Sequence, residues 1–355
     1  MSGTLFYFRY STERYTVQQN VTGSNRDGGL MVTKKHRVKT KRRGRPTKGP
    51  LESLKVKLWF WAVAGRLGVT TGYAMEKYFS PETVRQGPNG GTIRSCKFDK
   101  YKRGEHVPEP ELVDRIESEF PGTKKFLNHP FWIIAKTPIT DIEEFYIQLS
   151  NLRPEISKLL FFSPIDKVRM PIRQLTGPFG TIEDLIKESD WDALTACIGL
   201  IQEANYLGGI QKYYLKHYTR RTYGVFLPVI SQHPFTQIAH ELFDYLREHF
   251  LDRPEDAEWT KKLDSTYLDG HIYVYQTMLL IIEDLGILKH HFLAPPSCLY
   301  LAERYLKVSV IEKIHELSLS GKYHEATKLP EIKKLTRSLR RWEKKKVAEE
   351  HTVTS

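Results

Sequence analysis

Between Lys34 and Lys48 the chain carries nine lysines and arginines and no acidic residue, in the run KKHRVKTKRRGRPTK. Cations at that density are suited to one task, holding a polyanion. Their mutual repulsion, and the near absence of apolar side chains, keep such a segment from folding alone. At its centre stands Arg43-Gly44-Arg45-Pro46. Pro46 biases Arg45 towards an extended backbone, and Gly44 has no side chain to hold the chain off a groove floor. Arg43 and Arg45 are thereby set to reach along a narrow A·T minor groove, where the negative potential is deepest. Lys41, Arg42 and Lys48 would meet phosphates, which adds affinity without sequence information. The same composition is also compatible with nonspecific contact to any polyanion, RNA included.

The stretch from Lys39 to Lys48 resembles an AT-hook, a short element with Arg-Gly-Arg-Pro at its centre and basic flanks. That resemblance implies a preference for A·T-rich duplex DNA. A second stretch carries another resemblance. Phe98-Asp99-Lys100-Tyr101-Lys102-Arg103-Gly104, then Pro108 and an apolar-striped helix over Glu111–Phe120, is similar to the third and fourth helices of phage-repressor or Cro-type helix-turn-helix domains. The resemblance implies a recognition helix over 94–103 with Phe98 and Tyr101 packed inward. Ser95, Cys96 and Lys100 would face the major groove, and Arg94 would sit by a phosphate at the helix entrance. The chain departs from that pattern in three places, one being the small-residue pattern of the supporting helix, which is missing unless Thr70-Thr71-Gly72-Tyr73-Ala74 stands in for it. A Gly- and Pro-rich loop of about a dozen residues replaces the tight turn before Arg94, and Glu105-His106 follows Gly104 where the family often has a basic residue.

Other reactive residue types lead to less. His240-Glu241-Leu242-Phe243-Asp244 approaches a zinc-hydrolase pattern, but Asp244 stands where the second histidine belongs and no third ligand is indicated. The expectation is that Leu242, Phe243 and Leu246 are core and that His240, Glu241 and Asp244 face solvent. His290-His291 suits the negative end of a preceding helix better than catalysis. Tyr213, Tyr214, Tyr218 and Tyr223, interleaved with Lys212, Lys216, Arg220 and Arg221, could stack bases, yet core packing is the favoured reading. Nothing marks a nucleophile, an oxyanion hole or a phosphate loop, so no enzyme class, cofactor or metal is expected.

The elements that must position these residues read as helices. Periodicity of 3.6 residues predicts helices at Leu51–Leu67, Gly72–Phe79, Arg94–Arg103, Glu111–Phe120 and Lys124–Ile134. Further ones are predicted at Asp141–Ser150, Ile182–Glu188, Trp191–Leu207, Ile210–Thr219, Thr236–Phe250, Tyr267–Leu285, Val308–Ser318 and Ile332–Val347. Gly68, Gly104, Pro121-Gly122, Gly208-Gly209, Pro228 and Pro295-Pro296 act as breakers, and Tyr223–Ile230 is the one strand-like stretch. The last helix puts Lys333, Arg337, Arg340, Arg341 and Lys344 on a polar face opposite Leu335, Leu339 and Trp342, as either a second phosphate-contacting strip or a solvated face.

The chain of 355 residues is long enough for about two domains. The expected organisation is an extension and basic arm over 1–50, a helix-turn-helix-like module over 51–135, a helical interaction or oligomerisation domain over 140–347, and a tail over 348–355. Its net charge of +12 is concentrated at the two ends, which suggests cationic appendages on a nearly neutral body. Three scattered cysteines fit a reducing compartment, and Leu5–Phe8 is too short an apolar run for a signal peptide. No stretch is apolar enough for a membrane span. These features set the expectation: a mainly α, cytoplasmic DNA-binding protein, nucleoid-associated in a bacterial cell, acting as a transcriptional or architectural regulator, with homo-oligomerisation open. The rival expectation is a helical protein–protein interaction scaffold with nonspecific polyanion or RNA contact.

Overall fold

The computed structural model describes residues 49–136, 138–162, 171–174, 178–252, 265–284, 302, 306–320 and 323–353. They are mainly helical, as the periodicity predicts. Helix α1 (Pro50–Leu67) starts on a proline, whose missing N–H is no loss in the first turn, and stops at Gly68, which adopts a left-handed φ of 71°. Helix α2 (Gly72–Phe79) is capped by the Thr71 hydroxyl, which accepts from the Ala74 N–H at 3.1 Å. A two-residue-per-strand hairpin follows, with β1 (Arg85–Gln86) antiparallel to β2 (Thr92–Ile93) and residues 87–91 as its turn. Helices α3 (Lys97–Lys102) and α4 (Pro110–Glu119) complete the first group.

The helix expected over Lys124–Ile134 is broken in two, α5 (Lys125–Asn128) and α6 (Phe131–Ile134). Pro130 explains the break: it disfavours helical geometry at His129, which is extended at ψ 138°. Then come α7 (Ile142–Ser150), capped by Asp141, and α8 (Pro154–Leu160), a helix that sequence periodicity missed. Helices α9 (Pro178–Glu188) and α10 (Trp191–Leu207) lead into α11 (Gly209–Ile230), which runs eleven residues past Thr219, where the periodicity placed its end. The strand-like Tyr223–Ile230 is therefore helical, with Pro228 inside. Burial decides this. Val225, Phe226, Val229 and Ile230 are all 2% exposed or less, and at roughly 1.5–3 kcal/mol each they outweigh the roughly 3 kcal/mol that an internal proline costs.

The expected helix over Thr236–Phe250 is three pieces: a 3₁₀ turn at Phe235–Ile238, α12 (Ala239–Leu246), and a π turn at Arg247–Leu251. Helices α13 (Ser265–Asp284), α14 (Val308–Leu319), α15 (Tyr323–Ala326) and α16 (Pro330–Val353) follow. None of the described helices is long and apolar enough to cross a membrane.

Two hydrophobic cores organise these helices, and α1 belongs to both. Its Val56, Trp59, Phe60, Val63 and Ala64 face a small core with Met75, Phe98, Tyr101 and Ile116. Its Leu51, Leu54 and Leu58 enter the large core built around α10 and α11. From Leu58 to Ala64 α1 is apolar on every side, as a helix buried on two sides requires.

Candidate nucleic-acid interface

The arm residues Lys41, Arg42, Arg43, Gly44, Arg45, Pro46 and Lys48 lie outside the described residues. Two basic segments are within them, α3 with its flanks and α16.

At α3 the structure corrects the predicted helix. It begins at Lys97 rather than Arg94, so Arg94, Ser95 and Cys96 precede it and do not form its exposed face. The cause is a carboxylate nineteen residues upstream. Glu76 in α2 is fully buried, and its Oε1 accepts from the Ser95 N–H at 2.9 Å, from the Ser95 hydroxyl and from the Thr83 hydroxyl. Arg94 closes the arrangement. Its Nη2 lies 2.5 Å from Asp99 Oδ2, its Nη1 3.5 Å from Glu76 Oε2, and its guanidinium stacks 5.6 Å from the Tyr73 ring centroid. Cys96 then takes a left-handed φ of 55° before the helix starts. Phe98 and Tyr101 are buried as the resemblance implies. The remaining charges are largely committed. Arg103 makes two hydrogen bonds to Glu105, which raises the arginine's pKa and lowers the carboxylate's. Lys102 donates to the Thr70 carbonyl at 3.0 Å and lies 4.7 Å from the Trp61 ring. Lys97 and Lys100, both half-buried, are the cations left without a carboxylate among the described residues. Arg94, assigned to a phosphate, is instead held by two carboxylates.

Helix α16 is built the opposite way. Ile332, Leu335 and Leu339 are buried, at 2%, 0% and 0% exposure. Lys333, Lys334, Arg337, Arg340 and Arg341 are all exposed. At 3.6 residues per turn these five fall within an arc of about 120°, centred opposite the three buried positions, over a length of about 12 Å. Among the described residues, none of the five has a carboxylate at ion-pair distance. Arg337 is the hub, with Lys333 and Arg341 four residues away and Lys334 and Arg340 three away. All four are like-charged neighbours on the helix surface, each costing a few tenths of a kcal/mol. The face is stable only because the opposite one is anchored.

Neither a family model, nor a curated protein, nor a solved structure matches the chain. Its chemistry has to be read from its own geometry.

Elsewhere, His240 Nε2 meets Asp269 Oδ1 at 2.9 Å, and Glu241 accepts from Lys57 Nζ at 2.6 and 2.8 Å. Asp244 pairs with Arg247, and Leu242, Phe243 and Leu246 are core. The residues of that motif are therefore turned to separate partners. Tyr218 and Tyr223 are buried, whereas Tyr213 is 81% exposed. His290 and His291 lie outside the described residues.

Sequence reasoning missed one further feature, a cleft of about 680 Å³ where the end of α1, the turn before α6, the start of α10 and residues 232–235 meet. Its polar centre is His129, whose ring stacks on Trp191 with centroids 3.7 Å apart. His129 Nδ1 accepts from the Phe131 N–H at 3.1 Å, so the ring proton sits on Nε2, which faces Asp192 Oδ1 at 3.4 Å. Burial pushes the histidine's pKa down, with Asp192 opposing. Asp190 caps α10 by accepting from the Ala193 N–H at 2.7 Å, and its other oxygen lies 2.7 Å from Arg153 Nε. Burial nonetheless pushes Asp190 up to about 6. Gly65 makes room for one wall: a Cβ there would stand 2.0 Å from His233 Nε2, which lies 2.9 Å from the Trp61 carbonyl. The contributing segments, 62–66, 125–129, 190–192 and 229–235, lie at least 37 residues apart in the sequence, so no local motif could have marked the cleft.

Proposed function

We propose that this protein binds nucleic acid, duplex DNA first, with the cationic face of α16 and the basic arm as its two contact regions. The observation that carries this reading is the set of five cations on α16 with no carboxylate partner among the described residues, held on a face opposite an anchored one. A polyphosphate would relieve their repulsion and release the counterions condensed on the duplex. The arm, through Arg43 and Arg45, would add preference for A·T-rich sequence, and Lys41, Arg42 and Lys48 would add phosphate contacts. With Ser95 bonded to Glu76 and both Ser95 and Cys96 ahead of α3, Lys100 alone of the three expected readers is on the helix, and major-groove reading by Ser95, Cys96 and Lys100 is no part of this proposal.

Fluorescence anisotropy on duplex DNA across a salt series tests it. The wild-type affinity should fall linearly in log–log form with salt. Removing four α16 cations should flatten that slope by roughly 3 to 4, since each phosphate contact contributes about 0.9. An unchanged slope would remove α16 from the interface.

The reading as a helical interaction scaffold has an observation of its own. Tyr206, Leu207 and Tyr213 stand exposed beside the α10–α11 turn, at 49%, 49% and 81%. Apolar side chains gathered in this way suit a protein partner. Size-exclusion chromatography with light scattering, comparing wild type with a Tyr206→Ser/Leu207→Ser/Tyr213→Ser variant, would reveal whether that partner is a second copy.

A further inference from the structure

We propose that the cleft at the start of α10 binds a nucleoside monophosphate, with the phosphate on Arg66 and Lys125 and the sugar and base against the ring-lined wall and Asp192. This does not rest on the α16 reading. It rests on which groups in the lining still have bonding capacity.

Most of the cleft's charge is already committed. Both oxygens of Asp190 are engaged, by the Ala193 N–H and by Arg153, and Arg153 also pairs with Glu188. The His129 nitrogens are engaged by the Phe131 N–H and Asp192 Oδ1. Three charged groups remain. Arg66 and Lys125, both exposed, have no carboxylate partner among the described residues, and Lys125 Nζ lies 5.3 Å from the Phe126 ring centroid. Asp192 keeps its Oδ2 without a partner there, since His129 and the Arg153 N–H both address Oδ1. Two spare cations ask for an anion, and one spare carboxylate oxygen asks for an N–H or O–H donor.

The wall sets the third requirement. Trp191 is flanked by Phe126 at 5.5 Å and Phe235 at 5.1 Å, and its buried indole N–H has no acceptor among the described residues. His129 already stacks on Trp191, so a planar aromatic ligand would meet this wall at the half-buried Phe126 ring. The cleft volume lies within the range of about 300–1,000 Å³ usual for small-ligand sites. Inorganic phosphate meets only the demand for an anion. A nucleoside meets only the demands for a donor and a ring. A nucleoside monophosphate meets all three.

Titration calorimetry on the full chain separates these cases. The probes are adenosine, guanosine, cytidine and uridine 5′-monophosphates, the four nucleosides, and inorganic phosphate. At least one nucleotide should bind saturably, about tenfold or more tighter than its nucleoside and than phosphate, a gap of about 1.4 kcal/mol. Arg66→Ala/Lys125→Ala should weaken the nucleotide about tenfold and leave the nucleoside unchanged. Both side chains are exposed, so an unaltered melting temperature is expected, and Lys125→Ala alone serves if the pair perturbs folding. A Lys333→Ala/Arg337→Ala/Arg340→Ala variant should retain nucleotide binding. The proposal is overturned if no nucleotide saturates below about 5 mM. Equal binding of nucleotide and nucleoside would also overturn it, as would loss of binding in the α16 variant instead of the cleft variant.

Discussion

Helix α3 with its flanks and helix α16 are both dense in lysine and arginine, yet their charges are disposed in opposite ways. Around α3, Arg94 is held between Glu76 and Asp99, Arg103 is clamped by Glu105, and Lys102 is tied to a carbonyl and a ring. On α16, five cations stand on one exposed face with no carboxylate at ion-pair distance among the described residues. A sequence count treats the two regions alike. The difference is that a charge spent on an internal partner holds the fold together, whereas a charge left without one is available to a ligand.

The largest expected effect breaks the comparison on its α3 side. Glu76→Ala removes a buried carboxylate that holds Ser95, Thr83 and Arg94. It should cost about 3–5 kcal/mol of stability in urea denaturation, as expected when a buried pair loses one member. DNA affinity of the folded fraction should change less than about twofold, or Glu76 is doing more than folding. Next comes the α16 side. Lys333→Ala/Arg337→Ala/Arg340→Ala/Arg341→Ala should lose about 100-fold in duplex affinity at low salt, with its unfolding midpoint unchanged or raised. A large drop in stability with affinity intact would reverse the roles given to the two helices.

A charge reversal sharpens the contrast. Arg337→Glu turns four like-charge contacts on the helix surface into attractive ones, so it should stabilise the chain by about 1 kcal/mol while weakening DNA binding about tenfold. Stability and binding would then move in opposite directions from one substitution, which a merely solvated face would not produce.

The smallest effect concerns a third kind of charge, one that is buried and only partly compensated. Burial raises Asp190 from its ordinary value to about 6, so the native state holds a proton there that the unfolded chain gives up near pH 4. The stabilisation is present at low pH and is lost as pH rises through about 6. Relative to Asp190→Asn, the wild type should therefore gain about 1 kcal/mol on going from pH 7 to pH 5, read as the difference between two denaturation series. A flat difference would mean that Arg153 compensates Asp190 fully.

How much was legible in advance follows from how far apart the deciding residues lie. The span of α2 and that of α10 were read to the residue, because Thr71, Asp190 and Gly208 act on their immediate neighbours. Gly68 fixed the end of α1 in the same local way. Where the decision was distant, sequence reasoning failed. The start of α3 depends on Glu76, α11 extends past Thr219 because its last turns are buried among other helices, and α8 offers only a short apolar pattern behind Pro154. The split of α5 from α6 has a local cause in Pro130, which the apolar stripe running across both helices masks. Of the candidate sites, four of the five α16 cations were visible from helical spacing alone; Lys334 was not, and the side chain of Lys344 lies outside the described residues. Whether these charges were free was not visible, because that depends on which carboxylates the fold brings near.

Helix α1 has a bearing on how the protein could be dissected. Because the small core and the large core share it as a party wall, neither lobe owns a complete lining of its own. A cut between residues 136 and 140 would leave the C-terminal fragment without Leu51, Leu54 and Leu58, and the N-terminal fragment with those three leucines bared to water. Such halves should be recovered as aggregates unless they are expressed together.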